Sequence, residues 1–87
     1  MTQMAINING EKFTYDSYKA TGLAEGFVEP ETDNENEILG AWQYLEVTGI
    51  GYQLQGWFGR TLTHLIENDH ILNRQDYASA VNNGEFK

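Results

Sequence analysis

Several groups of residues in this 87-residue chain have types and spacings suited to chemistry. His64 and Glu67 are about one helical turn apart and would share a face, which gives two metal ligands. A third has to come from His70, beyond the helix end, and the spacing matches no standard zinc pattern. His64, Asp69 and a threonine assemble a hydrolytic triad on paper, without the nucleophile elbow or oxyanion loop that such chemistry uses. The run Gly56-Trp57-Phe58-Gly59-Arg60-Thr61 carries glycines but lacks the Gly-Lys-Ser/Thr ending of a phosphate loop. The reading is therefore of a chain that is not an enzyme, with no catalytic residue, metal or cofactor expected.

The remaining group is a run of carboxylates. Glu25, Glu29, Glu31, Asp33, Glu35 and Glu37 follow one another with no basic side chain between them. Thr32 with Glu35, and Asn34 with Glu37, have the spacing of a capping box. Acids in a first helical turn also suit the positive end of the helix dipole. Glu25 and Glu29 fall outside that account, and the run as a whole reads as a surface for a partner's positive charge. Arg60 is the only basic side chain between Lys19 and Arg74. It is expected either to pair with Glu67 or Glu46 or to meet a carboxylate from a partner.

The overall charge points the same way. Thirteen acidic side chains against five basic ones leave −8 at neutral pH. Direct nucleic-acid binding is disfavoured, because its affinity comes from Lys and Arg neutralising phosphates, and so is binding to anionic membranes. A basic protein surface is favoured. There is no cysteine, so disulfides, thiolate metal sites and a cysteine nucleophile are excluded. The start, Met1 to Ile6, lacks the charged and apolar segments of a signal peptide, and no apolar run approaches membrane-spanning length. A cytoplasmic location is expected.

The elements that position these residues read as one α+β domain over residues 1–87, an N-terminal β-hairpin packed on a small bundle of about three helices. The hairpin covers about residues 4–15. Asn9-Gly10 suits a type I′ turn, which sets Ile8 opposite Glu11, Ile6 opposite Phe13 and Met4 opposite Tyr15. Asp16 or Ser17 caps a single helical turn ended by Gly22. Residues 23–37 form the acidic connection, extended before Pro30. The helical part, about residues 35–83, begins with a helix from Glu35 to Val47 carrying Ile38, Trp42 and Leu45 and stopped by Gly49. A second helix, about Trp57 to Asp69, sets Phe58, Leu62, Leu65 and Ile66 in a core stripe. A third is capped by Asn73, with Leu72 and Tyr77 as a hydrophobic staple, and Phe86 is placed to fold back on the core. Trp42 and Tyr44 lie about 200° apart on the first helix. The aromatics read first as core, but both of these cannot be fully buried in so thin a domain. Tyr44 is the candidate for an exposed aromatic beside the carboxylates, of the kind binding surfaces use.

The centre of the chain, Gln53-Leu54-Gln55-Gly56-Trp57-Phe58-Gly59-Arg60-Thr61 followed by Leu65-Ile66-Glu67, resembles a group of small phage-encoded proteins with an LQG-x-[FY]-GRT-x-x-x-LIE stretch. The resemblance spans roughly the middle third and departs from the pattern at Asn68-Asp69-His70. It implies a phage origin, a location in the host cytoplasm and a role in contacts with host or phage proteins. It does not cover the hairpin or the acidic run. Together these readings give an acidic module that binds and inhibits or redirects a host protein through its basic surface. A nucleic-acid mimic is one form of such a module. The alternative is a self-associating, homo-oligomeric accessory domain of a phage assembly.

Overall fold

The computed structural model describes residues 3–84. The chain begins with strand β1 (Met4–Ile8), the turn Asn9-Gly10 and strand β2 (Glu11–Tyr15). Both turn residues have positive φ, 49° and 84°, as a type I′ turn demands. The register pairs Met4 with Tyr15, Ile6 with Phe13 and Ile8 with Glu11, so Ile6, Ile8 and Tyr15 are buried on one face. A two-stranded ribbon is marginal alone in water, and this one lies against the helices.

Among the described residues four α-helices follow, one more than expected: α1 (Ser17–Glu25), α2 (Glu35–Thr48), α3 (Gly56–Glu67) and α4 (Arg74–Asn82), with a 3-10 turn at Ile50–Gln53. The extra helix is α1, expected as a single turn. Asp16 caps it by accepting from the Lys19 amide at 2.7 Å. It runs through Gly22 and stops at Gly26, whose φ is 88°. A mid-helix glycine costs about 1 kcal/mol against alanine, but here it makes room. A Cβ on Gly22 would overlap the Val28 side chain, which folds back over the helix end.

Helix α2 is the axis of the molecule. The hairpin, α1, the 3-10 turn and α4 all pack on it, and Trp42 meets Trp57 and Phe58 of α3 at ring-centroid distances of 6.0 and 5.7 Å. Every residue from Gly40 to Glu46 is buried. This corrects the expectation for Tyr44. Trp42 and Tyr44 do face different ways, but a helix enclosed on all sides buries both, at 7% and 5% exposure. Full burial of one such side chain stabilises by about 1.5–3 kcal/mol. Ile38, expected in the core, lies beyond the enclosed stretch and is exposed.

Asn34 caps α2, and Gly49 ends it in the left-handed conformation. Asn73 caps α4 by accepting from the Asp76 amide at 2.8 Å. Tyr77, one half of the expected staple, is buried, and Leu72, the other half, is 38% exposed. Phe86 lies outside the described residues. Among the described residues no helix is long and apolar enough to cross a membrane.

Candidate functional site: an acidic edge beside an apolar groove

The six carboxylates of the run do not act alike. Glu37, in the first turn of α2, is buried and turns back into the chain that precedes it. One oxygen accepts from the Glu31 amide at 2.8 Å, and the other accepts from the Thr32 amide at 3.0 Å and the Thr32 hydroxyl at 2.9 Å. Burial pushes its carboxyl up, but these donors and the Lys19 charge together outweigh burial and hold it below the usual carboxylate range. Glu37 is thus the tether of the acidic connection, and its expected place on a partner surface is corrected.

The other five, Glu25, Glu29, Glu31, Asp33 and Glu35, are exposed. Glu29, Asp33 and Glu35 gather with Ile38 around a shallow hollow. Among the described residues the one ion pair is Lys19 with Glu31, at 3.7 Å, with Glu31 largely in solvent and Lys19 partly covered. A pair whose carboxylate is this exposed is worth about 0–1 kcal/mol. Glu11 joins the edge from the hairpin. Its carboxylate accepts from the side-chain amides of Asn34 and Asn36 at 2.6–2.8 Å, and these bonds, Asn34 first, lower its pKa. The sequence concealed this role, because Glu11 is remote from the run and comes to it only when the hairpin docks.

Next to this edge lies an open groove of about 710 Å³. Tyr18 and Thr21 of α1 form one wall, Val28 contributes from the connection, and Ile50 and Leu54 close the other side, with Glu25 and Phe27 also lining it. Phe27 and Tyr18 are 82% and 72% exposed. The segment after α1 therefore serves both features: Phe27 and Val28 line the groove, and Glu29 and Pro30 line the acidic hollow. Of the groove residues only Glu25 was singled out from sequence as a contact, being a member of the acidic run. The available signal was the second glycine, Gly26, which lengthens α1 and places Phe27 just past its cap.

Tyr44, the other expected contact, is packed against Tyr15 at 6.1 Å. Burial, with the Asp16 charge adding, raises its phenol above the ordinary value. Arg60 is exposed and lines a separate shallow hollow with Tyr52, Gly56, Gly59 and Thr63. It makes neither expected ion pair among the described residues. The Glu46 carboxylate is already taken, accepting from the Tyr52 hydroxyl and from the Arg74 amide at 3.0 Å. His64 and His70 are both exposed, and no group of three metal-ligating side chains occurs among the described residues.

The arrangement can therefore offer negative charge and apolar surface side by side. Comparison with family models, curated proteins and solved structures finds no match to this chain.

Proposed function

We propose that this chain is a protein-binding module of phage type, which engages a basic surface on a host protein and thereby inhibits or redirects it. The observation that carries the reading is the exposed gathering of Glu29, Asp33 and Glu35, with Glu31 only loosely paired. Carboxylates held this way, on a chain of net charge −8, attract cationic surfaces and speed their encounter. The 53–67 run, with its resemblance to small phage proteins, supports the phage setting. Self-association through this edge would bring like charges together and is disfavoured.

The test is capture of host proteins by the wild-type chain and by a variant with Glu29→Gln, Glu31→Gln, Asp33→Asn and Glu35→Gln, at low and raised salt. Circular dichroism should report the same helix content for both. The wild type should hold a partner at low salt and release it as the Debye length shrinks below about 10 Å, while the variant holds none. Equal capture by both proteins at both salt levels would dispose of this reading.

A further inference from the structure

We propose that the groove between α1 and the 3-10 turn seats apolar side chains of a partner segment whose flanking residues are Lys or Arg. This rests on the acidic-edge reading and adds the anchor that charge alone does not supply. The groove's 710 Å³ lies within the roughly 300–1,000 Å³ typical of ligand sites. Its lining is chiefly apolar, from Tyr18, Phe27, Val28, Ile50 and Leu54, and its one ionisable carboxylate is Glu25. No cation lines it. An occupant with an apolar body and positive flanks meets both kinds of surface, since Glu25 lines the groove and Glu29, next after Val28 in the chain, lines the adjoining acidic hollow.

The backbone that carries the aromatic at the rim is held by hydrogen bonds. The Gly22 carbonyl accepts from the amides of Gly26, Phe27 and Val28 at 2.9, 2.8 and 3.1 Å. Val28 packs over Gly22, which leaves Phe27 directed outward. A large aromatic presented by an ordered turn contributes to binding at little entropic cost. The occupant is another protein rather than a second copy, because two copies would each bring a charge of −8 to a contact flanked by Glu25 and Glu29.

The experiment titrates the isotope-labelled full chain with three short synthetic peptides while amide chemical shifts are followed. The first carries Leu and Phe between Lys and Arg flanks, the second replaces Leu and Phe by Ser, and the third keeps Leu and Phe but has Glu flanks. Saturable shifts at Tyr18, Thr21, Phe27, Val28 and Leu54 are expected with the first peptide, and the other two should bind at least about tenfold more weakly. Combined Tyr18→Ala and Phe27→Ala should weaken the first peptide by a similar factor without loss of fold, since both side chains are mostly in solvent.

Equal binding of the first and second peptides, with shifts confined to residues 29–35, overturns the groove assignment and leaves the acidic-edge reading standing. Equal binding of the first and third overturns both. No saturable binding of any peptide overturns the groove assignment. A dimer in sedimentation that Phe27→Ala dissolves gives the groove to a second copy and likewise overturns it.

Discussion

The phenol of Tyr15 fills the space beside Gly40 that any other residue's side chain would occupy. Its hydroxyl donates to the Glu37 carbonyl at 2.5 Å, and a Cβ on Gly40 would overlap that hydroxyl and press on the ring. Tyr15 is fully buried, with the Lys19 ammonium 5.3 Å from its ring centroid. Burial, aided by the Glu37 charge, pushes its phenol far above the ordinary value. The hairpin is thus keyed to α2 by one tyrosine against one glycine.

Gly40→Ala should therefore destabilise the protein, although alanine is the better helix former by about 1 kcal/mol. Overpacking costs typically about 1–3 kcal/mol, and the overlap falls on a ring that cannot retreat. Adding Tyr15→Phe should recover part of the loss by removing the closest atom. Urea midpoints of both single variants and the double variant measure the coupling, and additive effects would contradict the proposed fit.

Gln43 is the second key. Its side-chain amide donates to the Leu72 carbonyl and its oxygen accepts from the Leu72 amide, each at 2.8 Å. Gln43→Leu should cost about 2–3 kcal/mol, because both backbone groups lose their partner at a largely enclosed site. Hydrogen exchange at Leu72 should accelerate in step. An unchanged exchange rate there would show that the clamp contributes nothing.

Acid should act through Glu37. Its native pKa is lowered relative to an unfolded value of about 4.3. Its contribution is complete above about pH 4.3 and is lost as pH falls through the lower native value. Glu37→Gln should cost about 1.5–3 kcal/mol at neutral pH and make stability fall less steeply in acid. Chemical denaturation across the acid range reads both effects. Some acid dependence should remain in this variant, because Glu11 is lowered as well.

Alkali should act through Tyr52. Burial, with the hydrogen bond to Glu46 and the Glu46 charge adding, pushes its phenol up to about 12, against about 10 in the unfolded chain. Its contribution is complete below about pH 10 and is lost as pH rises from there through about 12. Tyrosinate absorbance should show late-titrating phenols, Tyr15 and Tyr44 among them, and Tyr52→Phe should reduce that late amplitude by one phenol. The same variant should loosen the 3-10 turn, since one Glu46 oxygen loses its donor.

Local chemistry made the hairpin, its register, the caps at Gly49 and Asn73 and the boundaries of α2 legible in the sequence, whereas Thr32 and Asn34 stood as alternative caps and the structure uses Asn34. Turn and cap residues act on their immediate neighbours, so short-range reasoning suffices for them. Helix α1 was misjudged because Gly22 and Gly26 are equally good stops until Val28 is known to need the space over Gly22. Tyr44 was misplaced because helical spacing gives the angle between two residues but not how many neighbours surround the helix. Glu37, Gln43 and Glu46 look like solvent-facing polar residues in the sequence. Each is buried because its partners are backbone or hydroxyl groups brought to it by the fold. Of the candidate site, Glu25, Glu29, Glu31, Asp33 and Glu35 were legible as exposed charge, whereas the groove depends on walls from three separate segments.

The three amides gathered on the Gly22 carbonyl hold the backbone of this protein so that the Phe27 ring stands in solvent. Shared negative charge opposes adhesion of neighbouring molecules through Phe27, and that colloidal repulsion fades as the pH falls toward the isoelectric point of about 4.4 that the sequence gives. Turbidity should appear there, and Phe27→Ser should delay it to higher protein concentration.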